Sequence, residues 1–343
     1  MTKIFAYASR SKIQEIKKLI SNHWVAKSKK KHILVRDGRV FDWLYLIKKN
    51  KYSFFYTEDK KKCNGFLGFV QNSKFSNKLK KNDIYWLSMW LSDIKFSKNK
   101  NFTGLKIILF FMSFFKKNTI ATIGCNDKTK NLYQKLGFKV GTLSHAYILN
   151  PNISDFKIAK IKKKLKFKIK LINLNYKILN SIKFLQNSKF DKNYSNIFNK
   201  NIEYLINKYE KNIFYKYKFL VLGEREEFKF LIVFKKIYLK GKIIIRFIDF
   251  YGDYKCLPKL KDTIAHFFND KIVEYIDFYY HGIPDRYLIK TGFKIRKNNS
   301  KIVIPNYFEP FLRENIDINY AVKASYIKKQ FLFKGDCDQE RPN

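Results

Sequence analysis

Two segments in opposite halves of the chain carry the same local pattern. Leu132-Tyr133-Gln134-Lys135-Leu136-Gly137-Phe138-Lys139 lines up with Tyr287-Leu288-Ile289-Lys290-Thr291-Gly292-Phe293-Lys294. Each follows a short apolar run of strand character. Each reads as the last turns of a helix stopped by a glycine at the C′ position, and each leads into a basic strand. An internal duplication is the economical explanation, and it suggests two copies of one unit in which strands and helices alternate. The length of 343 residues agrees: enough for two ordinary domains and short for three.

The elements around the repeat follow from periodicity. In the first half, Ser11–Ser21 reads as an amphipathic helix with Ile13, Ile16, Leu19 and Ile20 on one face. Tyr52–Thr57 and Phe66–Gln71 read as strands joined by a charged turn, and Ile84–Phe96 as a longer strand carrying Trp86 and Trp90. Leu105–Lys116 is a helix, Thr119–Cys125 a strand and Thr129–Leu136 a helix; a strand pair around Lys139–Gly141 and His145–Asn150 ends at Pro151. The second half runs Phe219–Leu222, Phe228–Lys235 and Ile243–Tyr251 as strands, then a helix Leu257–Phe268 and a strand Val273–Tyr279. A short helix Asp285–Lys290 and a strand Lys301–Ile304 follow. Between the halves, alternation in Lys163–Leu171 reads as an edge-like strand. The expected division is a first domain over 1–150, a connecting segment over 151–200, a second domain over 201–325 and a tail over 326–343.

Composition narrows the class further. Hydrophobic residues at 46% supply a sizeable core and exclude wholesale disorder. The formal net charge of +43 is spread along the whole chain, and Lys, Asn, Ile, Phe and Tyr are inflated together, as a coding bias toward A/T-rich codons would produce. The bland reading is a solvated basic surface; attraction to anionic substrates, tRNA or an anionic membrane is the functional one. Cys63, Cys125, Cys256 and Cys337 stand far apart with no Cys-x-x-Cys, which argues against a zinc site or a disulfide framework and fits a reducing compartment. The first residues run quickly into charge, and the longest strongly apolar run, Ile107 to Phe115, is too short to span a membrane. The expected location is the cytoplasm.

The segment Asn126 to Phe138, with Leu132-Tyr133-Gln134-Lys135-Leu136-Gly137-Phe138 at its end, resembles the GNAT superfamily of acyl-CoA-dependent N-acetyltransferases. There, a strand ending in Asn leads into a helix of this pattern. His32–Leu34, Phe41–Trp43, Trp86–Trp90, Gly141–Tyr147 and Ile304–Phe311 look like acetyltransferase-like proteins of surface-polysaccharide gene clusters. The resemblance implies an α+β chain of two tandem GNAT-like domains, each a mixed, mostly antiparallel twisted sheet flanked by helices. It also implies acetyl-CoA as cosubstrate and an amine acceptor, such as an amino sugar or nucleotide sugar.

Site residues follow from the same resemblance. Tyr133 corresponds to the phenol that protonates the departing thiolate, and a group with an ordinary pKa near 10 suits that work. A backbone N–H near Asp93-Ile94-Lys95 would polarise the thioester carbonyl, and Asn126 would orient the pantetheine arm. A pyrophosphate needs a helix N-terminus, and Asn101, Thr103, Gly104 and Leu105 stand there. Only Gly104 occupies a glycine position of the family's phosphate loop; Phe102 stands where the first glycine belongs. Asp93 and His145 are the candidates for the general base, and His32 and Asp42 belong to a subgroup-like segment near the acceptor. No metal is expected. Each residue also has a structural reading: Tyr133 as a packing aromatic, Asn126 as a helix cap, Gly104 as a turn residue, His145 as a buried hydrogen-bonder.

In the second half Leu288 replaces Tyr133 and His281 replaces Asn126, so a second catalytic copy is not expected. Three functions fit. One is an acetyl-CoA-dependent N-acetyltransferase with its active site in the first half. A second is an aminoacyl-tRNA-dependent transferase of the peptidoglycan type, which shares the tandem architecture. The third is a catalytically degenerate binding or scaffold protein, supported by Phe102 in the phosphate loop.

Overall fold

The computed structural model describes residues 3–24, 31–92, 102–161, 176–223, 227–297, 299–324 and 330–341. Along the chain the main elements are β1 (Lys3–Phe5), α1 (Arg10–His23), α2 (Gly38–Tyr45), β2 (Phe54–Asp59), β3 (Lys62–Gln71), β4 (Ile84–Ser92), α3 (Thr103–Phe114), β5 (Thr119–Cys125), α4 (Asp127–Lys135), β6 (Lys139–Thr142) and β7 (Ser144–Leu149). There follow β8 (Tyr176–Leu179), α5 (Lys189–Phe198), β9 (Lys218–Leu222), β10 (Phe230–Leu239), β11 (Lys242–Gly252), α6 (Lys261–Asn269), β12 (Val273–His281), α7 (Asp285–Thr291), β13 (Lys294–Ile295), β14 (Asn319–Lys323) and β15 (Leu332–Phe333).

The chain divides into two compact units whose bounds differ from those expected. Unit 1 is 1–140, 320–327 and 337–343; unit 2 is 141–319 and 328–336. The first sheet runs β1-β2-β3-β4-β5-β14-β6 and the second β8-β9-β10-β11-β12-β7-β13, with β15 added against β12. Each sheet therefore includes a strand contributed by the other half of the sequence: β14 lies between β5 and β6, and β7 between β12 and β13. Alternating apolar residues mark His145–Asn150 as a strand but say nothing about which sheet receives it.

In unit 1, α1 forms as the periodicity predicts and buries Ile13, Ile16, Leu19 and Ile20. An aromatic cluster closes the core under α3: the ring of Phe111 lies 5.0 Å from Phe55, 5.1 Å from Phe69 and 4.8 Å from Phe115, within the range where edge and tilted pairs stabilise beyond their buried area.

The two repeat segments fold alike. Gly137 (φ 80°) and Gly292 (φ 107°) are both in the left-handed region. Phe138 N–H donates to the Tyr133 carbonyl and Phe293 N–H to the Leu288 carbonyl, the same cap closing both helices. The apolar partner of each cap, Phe138 or Phe293, is buried.

Two expected elements differ. The helix drawn from Leu257 starts at Lys261, because Pro258 lies in a 3₁₀ turn over Tyr254–Leu260, where its missing N–H and its restriction of the preceding residue exclude a regular helix. Lys301–Ile304 forms only a bridge, Val303 to Lys160, in place of a strand. The β4 strand is described to Ser92, while Lys163–Leu171 lies outside the described residues.

Unit 2 is organised by buried charge. Arg246 on β11 grips Asp277 on β12 with two bonds, Nε to Oδ1 at 2.9 Å and Nη2 to Oδ2 at 2.6 Å, and its Nη1 donates to the Asn306 carbonyl at 2.8 Å. The subgroup-like segment around Pro305–Phe308 is thereby tied to the sheet, with Phe308 packed on the guanidinium at 4.9 Å. Glu274 accepts from the backbone N–H groups of Lys157, Ile158 and Ala159, fixing the chain that leaves β7.

Candidate functional site

Strands β4 and β5 run parallel and pair at Ile84 with Thr119, Tyr85 with Ile120 and Trp86 with Ala121. Beyond that register they part. Thr122 Oγ1 donates to the Leu87 carbonyl at 2.8 Å where the pairing ends, so the inner edges of Ser88–Ser92 and Ile123–Cys125 face each other without a shared ladder. Parted strands of this kind expose backbone N–H and C=O groups to any extended amide-bearing ligand that enters between them.

Tyr133, on α4, lies against this opening. Its ring centroid is 6.0 Å from Trp90 of β4 and 4.9 Å from Phe138. The residue is 2% exposed, and burial raises its phenol well above the usual range, with the thiols of Cys125 and Cys337 pushing the same way. The hydroxyl keeps its proton throughout the neutral range, and the shift makes it a weaker acid than an ordinary phenol. Asn126 caps α4, its Oδ1 accepting from Thr129 N–H at 2.9 Å, which is the structural reading anticipated for it.

Helix α3 begins at Thr103 with no side-chain cap, since its N-cap is Phe102. Its first turn, with Gly104 and Leu105, offers backbone N–H groups of the kind that hold phosphates. Gly104 sits where α3 approaches β4: a Cβ there would come within 3.1 Å of Ser92 Oγ and 3.4 Å of Trp90 Nε1. Phe102, in the place of a phosphate-loop glycine, is 73% exposed and fills no part of the interior. Lys106 adds an exposed cation to the same turn. Asp93, Ile94, Lys95 and Asn101 lie outside the described residues.

His145 lies in unit 2. It was expected on a strand reaching the cleft of the first half, but β7 belongs to unit 2, and His145 is buried there among charges. Arg296 Nε donates to its Nδ1 at 3.3 Å, which leaves the ring proton on Nε2, 3.3 Å from Asp277 Oδ2. Its ring stacks on Tyr279 at 3.9 Å. Burial lowers its pKa to about 4 against the pull of Asp277. Both ring nitrogens are thus engaged within a buried network.

His32 and Asp42 also have local partners. His32 Nδ1 accepts from Leu34 N–H at 3.2 Å, and Asp42 Oδ1 accepts from the Tyr52 hydroxyl at 3.0 Å.

Sequence reasoning missed what stands in the opening. Cys337 Sγ reaches the Leu87 carbonyl at 3.5 Å, and Gln339 Nε2 donates to the Ile123 carbonyl at 3.0 Å. The last described residues of unit 1 thus bridge the two parted strands. Unit 2 has the matching opening: β11 and β12 pair in parallel as far as Phe247 with Phe278, then separate. Here β15 pairs antiparallel with β12, Phe333 opposite Tyr280 and Leu332 opposite His281, while Gly335 N–H donates to the Ile248 carbonyl at 2.9 Å. Lys200 pins this segment between Asp249 at 2.8 Å and Asp336 at 2.6 Å. The signal in the sequence was the apolar triplet Phe331-Leu332-Phe333 between Lys328-Lys329-Gln330 and Lys334.

The architecture has counterparts among solved structures. A GCN5-related N-acetyltransferase from Anabaena variabilis aligns over 95% of this chain and 74% of its own, with a TM-score of 0.53 and 10% identity. A conserved protein of unknown function from Enterococcus faecalis, described as a probable N-acyltransferase, aligns over 96% of this chain and 74% of its own, with a TM-score of 0.55 and 6% identity. The chain has a GNAT-like fold. At such identities the likeness concerns the fold alone. No family model matches the chain, and no curated protein matches it. Among the described residues no helix is long and apolar enough to cross a membrane.

Proposed function

We propose that unit 1 is an acyl-CoA-dependent N-acyltransferase that moves an acetyl group to the primary amine of a small molecule, an amino sugar or nucleotide-linked amino sugar of surface-polysaccharide synthesis. The observation that carries this reading is the opening between β4 and β5 with Tyr133 packed against it. The two inner edges supply hydrogen-bonding partners for the amides of a pantetheine arm. The first turn of α3, with Thr103, Gly104, Leu105 and Lys106, faces the demands of a pyrophosphate, and Asn101 precedes it. The amine nitrogen attacks the thioester carbonyl, the carbon–sulfur bond breaks, and the thiolate takes a proton from Tyr133. Asp93, one residue beyond β4, is positioned in sequence to receive the proton of the amine, with the Ile94 and Lys95 backbone polarising the carbonyl.

Unit 2 is outside this chemistry: its own opening holds β15, and Leu288 replaces the phenol. The burial of Tyr133 favours a second reading, a catalytically silent fold kept for binding. Thiol release from acetyl-CoA, assayed with a panel of free and nucleotide-linked amino sugars, separates the two. Turnover that falls about 100-fold in Tyr133→Phe supports acyl transfer. Absence of turnover, with acetyl-CoA still bound, supports the silent fold.

A further inference from the structure

Helix α3 turns an apolar face to solvent. Its inner side is ordinary, with Ile107, Ile108 and Phe111 buried in the unit 1 core. On the outer side Phe102, Leu109, Phe110 and Phe114 are between 37% and 73% exposed. Spacings of four, seven, eight and twelve residues from Phe102 put Lys106, Leu109, Phe110 and Phe114 on one side of the helix. Other exposed large apolar residues, such as Phe184, Ile197, Tyr238 and Ile289, fall on separate elements. Single exposed residues of that kind need no explanation, whereas a contiguous patch marks an interaction surface.

The charge around the patch is of one sign. Lys106 stands within it, and the exposed Lys116 and Lys117 follow in the turn after α3. Lys51 lies over the ring of Tyr7 at 3.7 Å, and that ring is 6.2 Å from Phe114. Helix α4, packed on the same core, adds Lys128, Lys130 and Lys135 against one carboxylate, Asp127. Apolar tips set among lysines complement a surface that is anionic outside and apolar beneath, which is the cross-section of an anionic bilayer. Double-stranded nucleic acid answers the lysines and leaves the apolar tips unmatched. A protein partner needs recesses to receive protruding side chains, whereas lipid headgroups part around them.

We propose that the outer face of α3, with Phe102, Leu109, Phe110 and Phe114 as apolar anchors and Lys116 and Lys117 as headgroup contacts, seats unit 1 on the surface of an anionic phospholipid membrane. The helix lies in the interface plane and does not cross it, in keeping with its 12 residues. Phe102 thereby has a use at a position where the phosphate-loop pattern calls for glycine. The inference does not depend on the β4–β5 opening taking acyl-CoA.

The test is vesicle flotation of the full chain at physiological ionic strength, with bilayers of phosphatidylcholine alone and of phosphatidylcholine mixed equally with phosphatidylglycerol. A net charge of +43 draws any part of the surface to anionic lipid, so the decision lies with substitutions at α3. The parent chain is expected to float with the mixed vesicles and to stay behind with the neutral ones. Phe102→Ser/Leu109→Gln removes two exposed anchors and is expected to weaken partitioning about ten-fold or more. Lys116→Gln/Lys117→Gln is expected to weaken it about ten-fold. Tyr238→Gln, which alters an exposed aromatic of β10 outside the patch, is expected to leave it unchanged. Thermal melting confirms that each variant is folded, and Phe102→Ser gives α3 a capping hydroxyl that favours the helix. Absence of flotation overturns the proposal. So does flotation that the α3 substitutions weaken no more than Tyr238→Gln does, which would show attraction by overall charge alone. Loss of self-association in Phe102→Ser/Leu109→Gln, with no flotation of the parent chain, would assign the patch to a second copy of this chain and overturn it too.

Discussion

The side-chain amide of Gln339 lies 3.0 Å from the carbonyl of Ile123, on the inner edge of a strand that has left its neighbour. An edge of unpaired backbone is a template for whatever extended group arrives, and here the chain itself supplies that group from residues far along the sequence. The corresponding edge in unit 2 is taken by a true strand, β15. One fold used twice thus has one opening closed by a strand and one spanned by side-chain bonds from Cys337 and Gln339.

The closeness of Gln339 to Gly124 gives a first prediction. Gly124 has φ of 85°, and a Cβ there would meet Gln339 Nε2 at 2.5 Å. Gly124→Ala is expected to lose roughly 1–2 kcal/mol from backbone strain, plus a contribution from the displaced amide. In Gly124→Ala/Gln339→Gly the second contribution vanishes. Denaturant unfolding of the single and double variants reads the difference, and additive effects would show that the two residues do not touch.

His145 gives a pH prediction with a definite sign. Its folded pKa of about 4 lies below the ordinary value of 6.5. Between those limits the unfolded chain binds the extra proton, so stability falls as pH drops from 6.5 toward 4, by at most about 1.4 kcal/mol per pH unit. Above 6.5 this group contributes no slope. Imidazole NMR signals should titrate near 4 with the proton on Nε2; a midpoint near 6.5 would mean that the ring is solvated.

Arg246 and Asp277 form a buried pair, and removing one partner strands the other. Arg246→Met is expected to destabilise unit 2 by about 3–5 kcal/mol. Arg246→Met/Asp277→Leu should recover a substantial part of that loss, since no unpaired carboxylate remains. A double variant as unstable as the single one would assign the effect to the Asn306 and Pro305 carbonyls that Arg246 also serves.

Much of this architecture was legible in the sequence. The repeat around Gly137 and Gly292 marked two equivalent helix ends because the cap geometry demands a residue free to adopt positive φ and an apolar residue after it. Ile13, Ile16, Leu19 and Ile20 marked the buried face of α1 for the same local reason. The exchange of β7 and β14 between sheets was not legible, because period-two alternation identifies a strand without naming its partner. That is why His145 was expected beside the donor cleft and is found against Asp277 and Arg296. The segment around Gln339 and Cys337 was invisible for a related reason: its bonds to Ile123 and Leu87 join residues far apart in sequence, with no periodicity to betray them. Asn126 shows the opposite case, a residue whose capping chemistry was readable and is what the structure displays.

The central claim, that the β4–β5 opening of unit 1 receives acyl-CoA, is tested most directly by calorimetric titration of acetyl-CoA into the full chain and into the same chain carrying Lys106→Glu. The substitution places an acidic side chain in the first turn of α3, where it favours the helix but repels a pyrophosphate. Saturable one-to-one binding, weakened about ten-fold or more by Lys106→Glu, is the predicted result. No saturable heat from the folded parent chain, or affinity indifferent to the reversed charge, would contradict it.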